Sequence, residues 1–348
     1  MKLLFIPVSA PRGFGEYARA RAIALAAAAR WPAAQIRFVL SREAPYAAAC
    51  PFPATLLPAS ATFHSPEVIA LLEDFRPNLV VFDNAGRSAQ IRAAHRLGAK
   101  VVYVSSRRRQ RARAFRFGLL HAIDEHWIAY PEFVAGAPGP LERWKLRLAG
   151  GPRLRYLDAI LPETPELAQN LPARLGVGAA PFILVVPGGG TPHPGAEDAP
   201  AIAAQAAARL AAQGLDTVLV GVEAPADAPA RLHTLARLPA DELAALLRAA
   251  ALVVTNGGDT LLQALACARP CLACPIAPDQ APRIAHLARL GLVSAAPLNA
   301  AGLAAAAAAL RAEPERQRAQ LAALAAHPVR NALPQVLAAI AVLTGAHP

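Results

Sequence analysis

Long apolar runs are what this chain most conspicuously lacks. Hydrophobic residues make up 55% of its 348 positions, yet much of that is alanine, and Arg, Pro, Asp or Gly interrupts each run before the roughly 20 residues that a bilayer crossing needs. No transmembrane helix is expected. The opening Leu3-Leu4-Phe5-Ile6 is too short for the apolar region of a signal peptide and reads as a first strand, so a cytoplasmic location is expected. Cysteine is scarce as well. Cys50, Cys267, Cys271 and Cys274 are too few and too uneven for a disulfide framework. Cys271-x-x-Cys274 has no further Cys or His pair at the spacing a tetrahedral zinc requires, so no metal is expected. Acidic residues are in deficit, 24 against 35 Lys and Arg, for a formal charge of +11. That imbalance favours anionic partners.

Part of the excess is local. Arg107, Arg108, Arg109, Arg111, Arg113 and Arg116 crowd together, followed by Trp144-Lys145-Leu146-Arg147-Leu148. Nucleic-acid binding would call for a known module or for aromatics threaded through the charges, and Phe115 and Phe117 are a thin version of that. Phosphate binding or contact with an anionic membrane fits better, against the bland alternative of a solvated arginine-rich face. No nucleic-acid partner is expected. His121, Asp124, Glu125 and His126 also cluster, at spacings that suit a helix surface rather than a metal site.

The length favours two domains. In the first half, short apolar runs (Leu3–Val8, Ile36–Leu40, Leu79–Phe82, Val101–Val104, with Ile128–Ala129 as a fifth) alternate with helical stretches at Tyr17–Ala29, Pro66–Phe75 and Ala89–Leu97. This alternation is the mark of βαβ units and a parallel sheet. Pro and Gly then thicken, and the pattern restarts: strands at Phe182–Val186, Thr217–Val220, Leu252–Thr255 and Cys271–Ala273, with helices at Ala199–Gln213, Asp241–Ala250, Thr260–Ala268 and Ala281–Leu290. The expected fold class is α/β with two Rossmann-like domains. The first spans 1–160 with a returning C-terminal helix at 329–345, a linker covers 161–180, and the second spans 181–328.

Two loops stand out chemically. Gly188-Gly189-Gly190 follows a strand, where missing Cβ atoms admit a phosphate, and His193 lies just beyond. Asn256-Gly257-Gly258-Asp259-Thr260 joins a strand to a helix whose N-terminus would present amides and a positive dipole end to a diphosphate. It runs on through Gln263, Ala268-Arg269-Pro270 and Pro275-Ile-Ala-Pro-Asp279-Gln280. This segment resembles the donor-binding region of GT-B glycosyltransferases. It is similar in particular to the bacterial lipid-linked N-acetylglucosaminyltransferase of peptidoglycan synthesis, the macrolide and plant glucosyltransferases, and the nucleotide-sugar hydrolases of pseudaminic acid synthesis. The shared pattern is a Gly-Gly turn, Thr-x-x-Glu on a helix, Gly-x-Pro, a strand and Pro-x-x-x-Asp-Gln. Here Gln263 replaces the glutamate and Ala268 the glycine.

The resemblance implies two domains facing each other across a cleft. The donor would be a nucleotide-diphosphate sugar acting as co-substrate, with no cofactor, held by Gly188, Gly189, Gly190, His193, Asn256, Gly257, Gly258, Thr260, Gln263, Asp279 and Gln280. Gln263 would meet the ribose, and Asp279 and Gln280 the sugar hydroxyls. The loop Pro11-Arg12-Gly13-Phe14-Gly15-Glu16 resembles the family's acceptor loop, with Glu16 where many relatives carry histidine. Glu16 is then the first choice of general base and Asp83 the second, with Gly13, Gly15, Arg19, Arg107 and Arg108 as acceptor contacts. The same loop mimics a dinucleotide fingerprint, Gly13-x-Gly15-x-x-Ala18, but five residues separate Val8 from Gly13 where the fingerprint wants an immediate turn. The expected activity is inverting, metal-independent glycosyl transfer to a lipid-linked or phosphorylated acceptor in bacterial cell-envelope glycan synthesis, peripheral to the inner membrane face. Hydrolysis of a nucleotide-sugar and a non-catalytic binding role are the alternatives.

Overall fold

The computed structural model of the chain describes residues 1–11, 13–162, 171–174, 176–177, 180–188, 196 and 198–347. Within them the chain divides into two compact units, one of Met1–Ile160 with Ala332–Pro348 and one of Leu161–Asn331.

Unit 1 is a seven-stranded parallel sheet built from β1 (Lys2–Pro7), β2 (Gln35–Ser41), β3 (Ala54–Leu57), β4 (Leu79–Asp83), β5 (Lys100–Ser105), β6 (Glu125–Ile128) and β7 (Arg153–Tyr156), in the order β3-β2-β1-β4-β5-β6-β7. Its helices are α1 (Gly15–Arg30), α2 (Ser65–Phe75), α3 (Ser88–Arg96), α4 (Arg108–Ala114), α5 (Phe117–Leu120), α6 (Glu132–Ala135) and α7 (Pro140–Ala149). Parallel strands covered on both faces read as unbroken apolar runs. Leu3, Leu4, Phe5 and Ile6 are accordingly buried throughout.

Unit 2 repeats the plan. Strands β8 (Ile183–Val186), β9 (Thr217–Val220), β10 (Leu232–Leu235), β11 (Leu252–Asn256), β12 (Cys271–Cys274) and β13 (Ser294–Ala295) lie in the order β10-β9-β8-β11-β12-β13. Around them are α8 (Ala199–Ala212), α9 (Ala240–Ala249), α10 (Asp259–Ala266), α11 (Gln280–Arg289), α12 (Ala300–Ala312) and α13 (Pro314–Ala326). The chain then returns to unit 1 as α14 (Leu333–Thr344). Leu333, Val336 and Ile340 of α14 join Tyr17, Ile23 and Phe38 in one apolar cluster.

In both sheets the strand order reverses direction beside the first strand, between β1 and β4 and between β8 and β11. Helices on the two sides of such a point diverge, leaving a crevice at the carboxyl ends where ligands of open α/β sheets bind.

Asp124, Glu125 and His126 do not belong to a helix surface: Glu125 and His126 are buried in β6, at 3% and 0% exposure. The Glu125 carboxylate and one ring nitrogen of His126 have partners that make burial tolerable, while His126 Nδ1 has none. Arg155 and the Trp127 indole donate to Glu125, and Ser105 pairs with His126 at 2.8 Å. Cys271 and Cys274 are buried in β12, and burial raises both thiols, that of Cys274 to about 11.

Candidate functional site

At the unit 2 switch point, the turn after β11 meets the turn after β8. Asn256 Nδ2 donates to the carbonyl of Pro187 at 2.7 Å, and its Oδ1 accepts from the Gly258 amide at 2.7 Å. Gly188 has φ +116, and a Cβ there would sit 2.1 Å from Asn256 Nδ2, so only glycine fits. Gly257 is needed for close approach, since a Cβ would lie 2.9 Å from Gln280 Cβ at the start of α11.

The same contacts revise three expected roles. Gln280 is 7% exposed, and its Oε1 accepts from the amides of Gly257 and Ile276, at 3.2 and 3.0 Å. It fastens two loops together instead of reaching outward for sugar hydroxyls. The Gly257 and Gly258 amides are likewise taken by Gln280 and Asn256 rather than aimed at an anion. The positive end of α10 therefore falls to its first-turn residues, Asp259 and Thr260. Thr260 and Gln263 are half-buried on α10. The Asp279 side chain is 64% exposed and pairs with Arg283 at 3.0 Å, and Arg283 also donates to the Gly257 carbonyl. Sequence reasoning missed Arg283, although its place one turn after Gln280 on the same helix was readable. Gly189, Gly190 and His193 lie outside the described residues.

The unit 1 switch point holds the second group. Glu16, in the first turn of α1, accepts from Asn84 Nδ2 at 2.9 Å. Asn84, in the left-handed region at φ 50, also donates to Ser106 Oγ at 2.5 Å and accepts from the Ser106 amide at 2.9 Å. The carboxyl ends of β4 and β5 and the start of α1 are thus joined through one amide side chain that orients the Glu16 carboxylate. Ser106 went unnoticed in the sequence, its one signal being that it directly follows β5. Gly13 (φ +98), in the loop before α1, and Gly15, the first residue of α1, are exposed, with open space around Gly13.

Asp83 and Arg19 are reassigned. The Arg19 guanidinium grips both Asp83 oxygens, at 2.8 and 2.9 Å, and the two residues are only 1% and 7% exposed. A carboxylate so held is committed to the guanidinium, and the pair braces α1 against β4 instead of serving as base and acceptor contact. Breaking such a buried pair typically costs about 3–5 kcal/mol. Arg107 and Arg108 follow Ser106 and are exposed. Arg111 turns inward to the carbonyls of Ala135 and Gly136 and to Glu142, while Arg113 donates to the Gly86 carbonyl.

No protein-family model matches the chain, and a search of curated proteins returns no match. Solved structures do match. The glycosyltransferase SnogD from Streptomyces nogalater is 17% identical with a TM-score of 0.66, covering 99% of each chain. The spinosyn forosaminyltransferase SpnP is 17% identical with a TM-score of 0.65, again covering 99% of each. Arabidopsis thaliana UGT89C1, in a complex with UDP, is 14% identical with a TM-score of 0.64 and the same coverage. These likenesses establish the fold: two parallel α/β sheets with their helices, in the GT-B arrangement of elements.

Proposed function

We propose that the chain is an inverting glycosyltransferase that takes a sugar from a nucleotide-diphosphate donor and needs no metal. The observation that carries this reading is the junction of the two glycine turns at the unit 2 switch point, secured by Asn256 and Pro187. The donor diphosphate would lie against Gly188 and the first turn of α10, with Thr260 giving a hydroxyl to a phosphate oxygen. Gln263 would face the ribose and Asp279 the sugar. Gln263 offers one accepting oxygen where a carboxylate offers two, so nucleoside selection rests more on the surrounding backbone.

In unit 1, Glu16 would take the proton of the acceptor hydroxyl as that oxygen attacks the anomeric carbon and the nucleoside diphosphate departs. Asn84 holds the carboxylate in place. The positive dipole end of α10, with the Thr260 hydroxyl, would stabilise the leaving diphosphate. The arginines beyond Ser106 suit an acceptor that is phosphorylated or lipid-linked, as in cell-envelope glycan synthesis at the inner membrane face.

The test is direct. Purified protein incubated with UDP-, GDP- or dTDP-sugars and lipid-phosphate acceptors should release nucleoside diphosphate only when the acceptor is present. Release of free sugar without acceptor would replace transfer by hydrolysis. Absence of any donor binding would remove the reading.

A further inference from the structure

The outer surface of α5 and α7 carries an unusual concentration of apolar and basic side chains. Phe117 is 53% exposed, Trp144 50% and Leu141 61%. Monomeric surfaces scatter such residues singly, and a contiguous group marks an interaction site. Phe117 and Trp144 interlock edge to face at 6.0 Å, and the Lys145 ammonium lies 5.1 Å from the Phe117 ring centre. Underneath, the approach is tight, since a Cβ added at Gly151 would lie 3.0 Å from Leu146 and 3.3 Å from Leu120. Arg107, Arg108 and Arg109 at the start of α4, Arg116 just before α5, and Arg143 and Arg147 on α7 itself are exposed as well. The acids nearby are mostly neutralised: Asp124 by Lys100, Glu125 by Arg155 and Glu142 by Arg111, leaving Glu132 exposed on α6.

We propose that this face docks on an anionic lipid surface, with Phe117, Leu141 and Trp144 entering the headgroup boundary and the arginines contacting lipid phosphates. Trp and Phe beside Lys and Arg is the composition that partitions into such an interface. A second copy of this chain is disfavoured as occupant, because it would bring two arginine-rich faces together. Single-stranded nucleic acid is disfavoured because the rings are engaged with one another and with Lys145, where base stacking needs open ring faces. No helix among the described residues is long and apolar enough to cross a membrane, so contact would be confined to the interface. The inference deepens the acceptor side of the proposed function and rests on it only for its purpose; docking itself is measured without catalysis.

The experiment is co-sedimentation of the whole chain with phosphatidylcholine vesicles, with and without phosphatidylglycerol, alongside Trp fluorescence. The expected result is binding that needs phosphatidylglycerol, weakens with added salt and shifts Trp emission to the blue. Phe117→Ser with Trp144→Ser, and separately Arg143→Glu with Arg147→Glu, should each lower vesicle affinity about tenfold or more. Both pairs are exposed, so the unfolding temperature should hold, and nucleotide-sugar binding in unit 2 should stay unchanged. Equal binding to neutral vesicles, wild-type affinity in both double variants, displacement from vesicles by single-stranded RNA, or a dimer that buries Trp144 would each overturn the proposal.

Discussion

Asn256 and Pro187 are joined by a 2.7 Å hydrogen bond from the Asn256 side-chain amide to the Pro187 carbonyl, which extends the pairing of β11 and β8 into the turns that follow them. That bond turns two glycine turns, distant in sequence, into a single edge. Asn256→Ala should leave unit 2 folded but loosen the edge, weakening nucleotide-sugar binding about tenfold. Gly188→Ala should do more harm. It places a side chain at φ +116 against Asn256, a cost of about 1–3 kcal/mol in folding stability by strain alone. Binding calorimetry and thermal unfolding separate the two effects.

Glu16 is reached only by a different measurement. Glu16→Gln keeps an oxygen to accept from Asn84 and removes the base, so turnover should fall about 10²–10⁴-fold while donor affinity stays close to wild type. Steady-state kinetics with saturating donor reads the first and calorimetry the second. Turnover at the wild-type rate would assign the base elsewhere.

Ala268 occupies the left-handed region at φ 52, in the turn where the resembling family carries glycine. A side chain in that conformation is strained by about 1–2 kcal/mol, while glycine adds disorder to the unfolded chain. Ala268→Gly should therefore stabilise unit 2 by up to about 1 kcal/mol, visible in denaturant midpoints at unchanged slope.

His126 offers a pH test of the unit 1 core. Burial, aided by the nearby Arg111 charge, lowers its pKa from 6.5 to about 3. Below pH 6.5 the unfolded chain binds a proton that the folded chain refuses. Stability should thus be level from this group above pH 6.5 and fall by about 1.4 kcal/mol per pH unit as the pH drops from there toward 3. Denaturant unfolding of wild type and His126→Gln across that window checks it, because the variant should lose this part of the slope.

The central strands were legible because burial on both faces demands apolar runs: Leu79–Phe82 and Thr217–Val220 stand where the periodicity put them. The strands that went unread, β3, β7, β10 and β13, are the four sheet edges. Edge strands are short and half-solvated, and Arg153-Leu154-Arg155-Tyr156 has no apolar run to betray it. β6 was read late because Glu125 and His126 look like surface residues, and only Arg155, Trp127 and Ser105, none of them inferable as partners from spacing, make them core. The candidate sites were legible as loops but not as contacts. Glycines announce a close approach without saying to what, so the sequence could not show that Gln280 clamps Gly257, or that Asp83 is spent on Arg19.

The proposal that the unit 2 switch point holds a nucleotide-diphosphate sugar is tested most directly by thermal unfolding with UDP-, GDP-, dTDP- and CMP-sugars. A nucleoside-diphosphate sugar at a hundred times its Kd adds about 2.7 kcal/mol to the folded state. The account predicts a rise in melting temperature with at least one diphosphate sugar, reproduced by the matching free nucleoside diphosphate and diminished in Asn256→Ala. A flat response to the whole panel, or a response that Asn256→Ala leaves untouched, would contradict it.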